Sequence, residues 1–70
     1  MANSTETIIR INIKKYREQA GLTQEQLSEM AGISPDYLSE IERGKKIPSM
    51  KRFFKIANAL EVLPYELLKP

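Results

Sequence analysis

The sequence contains no cysteine and no histidine. It can therefore hold no disulfide and no Cys/His metal site, and a reducing compartment suits it. It also lacks a glycine-rich phosphate loop and a carboxylate pair flanking an evident cleft. Together these absences remove the ordinary means of acid–base and nucleophilic catalysis, so no enzymatic activity is expected. No apolar run approaches the roughly 20 residues of a membrane span. The first ten residues, MANSTETIIR, lack the basic start and apolar stretch of a signal peptide. The expected location is the cytoplasm, with no membrane, metal or cofactor involved. Strand patterns, internal repeats and low-complexity tracts are missing too.

What is present is helical spacing with frequent punctuation. The 70 residues, 41% of them hydrophobic, suffice for one domain with one small core. Residues 1–5 read as a flexible N-terminal arm and 6–70 as the folded domain. A first helix is predicted from Glu6 to Gln19, with Ile9, Ile13, Tyr16 and Ala20 on one stripe and Gly21 ending it. Thr23 opens a second helix and forms a capping box with Gln26. Leu27, Met30 and Ala31 form its inner side, and Gly32 supplies a left-handed turn. Ser34 caps a third helix, Pro35 takes its first position, and Gly44 closes it. Ser49 caps a fourth, with Met50, Phe53, Ile56, Ala57 and Leu60 inward. Pro64 starts a short fifth. The predicted fold class is all-α: a compact five-helix domain.

Net charge is only +2, yet its distribution is uneven: residues 43–55, RGKKIPSMKRFFK, hold six bases and no acid. Arg10, Lys14, Lys15 and Arg17 form a second cluster. Segregation of this kind makes a one-sided positive field that attracts phosphates. The third helix presents a difficulty, because SPDYLSEIERG holds three acids and one base. A helix turns by about 100° per residue, which separates the three acids. With Leu38 and Ile41 setting the core direction, Asp36, Ser39, Glu40 and Arg43 point outward. Glu42 falls beside the core edge, as does Arg17 in the first helix, and the two are expected to pair. Asp36 sits in the first turn, where the helix dipole stabilises a carboxylate. Glu40 remains free to face a base edge, and a glutamate can accept from the exocyclic amine of cytosine.

At this point LTQEQLSEMAGISPDYLSEIERGKKIPS resembles the helix-turn-helix of the Cro and lambda-type repressor group, the XRE family. The likeness runs through Gln24, Leu27, the Ala31-Gly32-Ile33 turn, Ser34, Leu38, Ile41, IERG and Pro48-Ser49, and extends from about Ile8 to Leu68. It implies a lambda repressor-like domain whose third helix enters the major groove, and a role in controlling transcription, with repression the expected sign. It implies base contacts from Ser34, Pro35, Asp36, Ser39 and Glu40, and phosphate contacts from Gln24, Arg43, Lys45 and Lys46. It also implies an internal ion pair of Arg17 and Glu42, in agreement with the helical wheel, and a bacterial, phage or plasmid origin. Ser28 departs from the family's alanine at a tight helix contact but is small enough to fit. Pro35 and Asp36 replace longer amides, so base preferences do not transfer. No sensor or second domain is expected.

The expected partner is double-stranded DNA carrying a palindromic operator. The alternatives are an antitoxin, or a restriction–modification controller, binding a protein partner or its own operator. A homodimer is expected from an apolar surplus in EVLPYELL, where Val62, Leu63, Tyr65, Leu67 and Leu68 exceed what so short a helix can bury.

Overall fold

A serine or threonine stands immediately before each α-helix of the chain. The structure, a computed structural model, describes residues 4–70. Four α-helices, α1 (Thr5–Gln19), α2 (Gln24–Ala31), α3 (Pro35–Glu42) and α4 (Met50–Ala59), are followed by a 3₁₀ helix, Pro64–Leu68. Ser4, Thr23, Ser34 and Ser49 are the N-caps, and each side-chain oxygen accepts from the backbone N–H three residues on. At Thr23 the reciprocal half of the capping box is present, with Gln26 Oε1 accepting from the Thr23 N–H at 2.9 Å.

The helix ends are equally uniform. Gly32 (φ 71°) and Gly44 (φ 77°) adopt the left-handed conformation, and the next residue reaches back over the last turn. Ile33 N–H donates to the Ser28 carbonyl at 3.0 Å, and Lys45 N–H to that of Glu40 at 2.8 Å. The end of α4 has the same bonds without a glycine. Glu61 takes φ 58°, and Val62 N–H donates to the Ala57 carbonyl at 3.0 Å.

Every element places a fully buried aliphatic side chain in one core. Ile13, Leu27, Leu38, Ile41, Ile56 and Leu67 are each at most 1% exposed. Ser28 is also enclosed, and its hydroxyl donates to the Glu25 carbonyl at 2.8 Å. α1 packs on α3 and on the 3₁₀ helix, and α2 packs on α3 and α4. Asn12 ties the ends of this arrangement together. Its buried Nδ2 donates to the carbonyls of Lys69 at 2.7 Å and Leu67 at 3.1 Å.

Several expectations are corrected. The last element is a five-residue 3₁₀ helix, not a fifth α-helix. A segment that short, started by a proline, closes through an i→i+3 bond from Glu66 N–H to Leu63 O more readily than through a costly α-helical nucleus. Residues 1–3 of the expected arm lie outside the described residues, while Ser4 and Thr5 belong to the start of α1. Met30 is 57% and Met50 67% exposed. The buried stripe of α2 is Leu27, Ser28 and Ala31, which turns Met30 outward. Met50 opens α4 ahead of the turn that reaches the core at Phe53. Ala20 is the C-cap of α1 and is exposed.

Candidate nucleic-acid interface

α3 is anchored from behind, and this fixes what it can show in front. Arg17 Nε donates to Glu42 Oε2 at 2.8 Å and Nη2 to Oε1 at 3.0 Å, while Nη1 reaches the Leu22 carbonyl at 2.7 Å. The two side chains are only 11% and 3% exposed. This bidentate fork joins α1, the loop before α2 and the end of α3. The hydrogen bond to Glu42 holds the Arg17 guanidinium above the usual arginine range, so it stays charged. Gln24 joins the same cluster, its Nε2 donating to Glu42 Oε1 at 2.9 Å. The amide expected to hold a phosphate is thus oriented by the ion pair, with a second N–H to spare.

On the opposite side of α3, Ser34, Pro35 and Asp36 are exposed, and Ser39 and Glu40 are half-buried along its flank. The Ser34 hydroxyl caps α3 by accepting from Tyr37 N–H at 3.1 Å. Glu40 Oε1 lies 3.2 Å from Lys46 Nζ, which leaves its second oxygen for another donor. Arg43, Lys45 and Lys46 are exposed on the connector to α4, with Arg43 Nε 3.4 Å from the Ser39 carbonyl.

One contact of the α1 basic cluster, and one residue, were not assigned from sequence. Arg10 of α1 lies across Gly44, where an added Cβ would meet its Cδ and Nε at 3.2 Å. That contact adds an α1 cation to the end of α3, and linear spacing gave no sign of it. Tyr37 is half-buried, its hydroxyl accepts from Ser49 N–H at 3.0 Å, and it has basic side chains over its ring. A tyrosine beside a basic connector is the available signal, though its partners lie 9–15 positions further on, in the connector and α4.

The apolar surface at the end of the chain is also redrawn. Leu67 is fully buried and belongs to the core, so it is removed from the expected dimer contact, and Val62 is half-buried against the same core. Leu63, Tyr65 and Leu68 are exposed. Tyr65 and Leu68 line a groove of about 430 Å³ together with Ile47, Met50 and Phe54.

A helix-turn-helix family model matches residues 13–67. The chain is 36% identical over 63 residues to y4dJ of Sinorhizobium fredii, an uncharacterized HTH-type transcriptional regulator, covering 90% of this chain and 82% of that protein. It is 39% identical over 57 residues to the HTH-type transcriptional regulator SinR of Bacillus subtilis, covering 80% of this chain but 51% of SinR. The chain thus spans about half the length of SinR, and 36% of a Mycobacterium tuberculosis regulator, MT0491, that it also matches. Among solved structures, a hypothetical transcription factor from Neisseria superposes with a TM-score of 0.93 at 28% identity, covering 100% of this chain and 80% of that one. The restriction-modification controller protein C.AhdI of Aeromonas hydrophila gives 0.85 at 31% identity, covering 89% and 94%. SinR in complex with DNA gives 0.83 at 37% identity, covering 87% and 98%. With a family match across both helices of the motif, and with α2 and α3 held as that motif requires, the chain belongs to the helix-turn-helix family of the Cro and lambda-type repressor (XRE) group.

Proposed function

We infer that this protein is a sequence-specific DNA-binding transcriptional regulator, with repression the favoured sign, that lays α3 in the major groove. The observation that carries this is the division of α3. One side is clamped to α1 and α2 through Arg17, Glu42 and Gln24, and the other offers short polar groups flanked by exposed lysines. Phosphate contacts give such a protein its affinity and position, and base edges give it discrimination. Gln24, Arg43, Lys45 and Lys46 are the phosphate group in this reading; Ser34, Pro35, Asp36, Ser39 and Glu40 face the bases. The acids of α3 do not oppose this. Glu42 is neutralised by Arg17, Asp36 lies in the first turn, and Glu40 shares one oxygen with Lys46.

The apolar groove beside the 3₁₀ helix supports a symmetric dimer joined through Leu63, Tyr65 and Leu68, widened by Ile47, Met50 and Phe54. Such a dimer would set two α3 helices about 34 Å apart on a palindromic operator. The likeness to C.AhdI supports a control function within a restriction–modification operon as the second reading; a neighbouring gene for a restriction enzyme would favour it.

Selection from a random duplex pool, followed by footprinting, tests the main reading. A single enriched palindrome is expected. Recovery of unenriched sequence at low salt would reject sequence-specific regulation. Within the enriched site, Glu40→Ala should relax preference at one base pair by about 1–3 kcal/mol.

A further inference from the structure

We propose that Tyr37 is a mount for two phosphate-gripping cations, Lys46 and Arg52, and that Arg52 is a DNA-backbone contact of this protein. Lys46 Nζ lies 5.1 Å and the Arg52 guanidinium carbon 5.2 Å from the centroid of the Tyr37 ring. The ring is held at its far end, where the hydroxyl accepts from the Ser49 N–H at 3.0 Å. Arg52 Nη1 is 3.5 Å from Ser49 Oγ. One aromatic side chain of α3 therefore collects a cation from the connector and a cation from α4.

Two positive charges gathered at one ring repel each other. Attraction to the ring face offsets part of that repulsion without removing the charge. Lys46 has Glu40 at 3.2 Å. Among the described residues Arg52 has no carboxylate within ion-pairing distance, and its side chain is exposed. The cluster keeps net positive charge in a defined place, and a planar guanidinium matches two oxygens of one phosphate. Its place relative to α3 gives it a purpose. Tyr37 is flanked in sequence by Asp36 and, three positions on, by Glu40. A phosphate gripped at Tyr37 would therefore fix the register in which those side chains meet base edges. In this arrangement Arg52 touches the ligand, and Tyr37 is a positioning residue acting through it.

The proposal rests on the DNA-binding reading above, and salt titrations separate the two. Binding is measured from low to moderate salt on a duplex enriched by the unsubstituted protein and on a scrambled duplex of equal length. Arg52→Gln should reduce the slope of log K against log salt by about 0.9, the value of one phosphate. It should weaken both duplexes equally, while Arg52→Lys retains most of the slope. Tyr37→Phe, which keeps the ring, should leave the slope nearly unchanged. Tyr37→Leu should lower it although both cations are still encoded, with a circular dichroism melt establishing that the variant is folded. If Arg52→Gln binds with the unaltered slope, the backbone contact is refuted and the regulator reading stands. If folded Tyr37→Leu keeps the slope, or Tyr37→Leu fails to fold and Tyr37→Phe loses the slope, the ring is not the mount. If the unsubstituted protein binds neither duplex, both readings fall.

Discussion

At the scale of single residues, the strongest commitments are buried polar ones. Removing one member of a buried, hydrogen-bonded ion pair leaves a charge without compensation, at a cost of about 3–5 kcal/mol. Glu42→Ala is expected at the lower end, about 3 kcal/mol, because Arg17 keeps its bond to the Leu22 carbonyl. In denaturant melts the Arg17→Ala, Glu42→Ala double variant should lose clearly less than the sum of the singles; simple additivity would mean the pair contributes no coupling. Tyr16 adds a pH dependence. Burial first, and then the Glu66 carboxylate that accepts from its hydroxyl at 3.3 Å, raise its pKa above the ordinary tyrosine value. The native state thus holds a proton that the unfolded chain gives up near pH 10. This contribution is complete below pH 10 and is lost as pH rises through the native pKa. Tyr16→Phe should make melting temperature less sensitive to pH in that range. Arg17 and Glu42 were legible beforehand because each lies at the edge of an apolar stripe. Asn12 was not, since its carbonyl partners are 54–57 positions away and follow no local period.

At the scale of elements, the starts of α2, α3 and α4 were readable because a serine or threonine before a helix has a local partner within its own first turn. The ends at Gly21, Gly32 and Gly44 were readable for the same kind of reason. The end of α4 was not, since Glu61 occupies a conformation that favours glycine. That predicts an available gain. Glu61→Gly should remove a left-handed penalty of about 1 kcal/mol, partly offset by the greater freedom of glycine in the unfolded chain. A small rise in the denaturant midpoint is expected, and a fall would mean the Glu61 side chain has a stabilising contact. Gly32→Ala should act in the opposite sense, costing about 1 kcal/mol; there is open space around a Cβ there, so the loss is conformational and not steric. The inward faces were harder to read. Period alone cannot tell where a short helix leaves the core, which is why Met30 and Met50 face outward.

At the scale of the whole molecule, a net charge of +2 conceals a basic connector and an α1 cation brought together at the end of α3. The exposed apolar groove is the other large-scale feature. Tyr65→Ser with Leu68→Ser should leave the fold intact, because both groove-lining side chains are exposed. If the groove joins two copies, sedimentation equilibrium at high concentration should show a shift from dimer to monomer and a loss of affinity for a two-half-site duplex. An unchanged mass would assign that face to something else. Leu67 has a consequence for how the molecule is made. It is fully buried and sits near the far end of the sequence from Ile13, which is buried in the same core. Ribosomes add about 5–20 residues per second, whereas single helices form in about a microsecond or less. During synthesis the first segments therefore wait on the order of seconds with an unfinished core, leaving Ile13 and Leu27, both buried in the finished fold, open to whatever holds nascent chains. Folding should follow passage of residue 67 out of the ribosome rather than keep pace with translation, and a ribosome stalled with that residue still inside would hold a chain with fluctuating helices and no closed domain, because helices as short as α2 and α3 depend on packing.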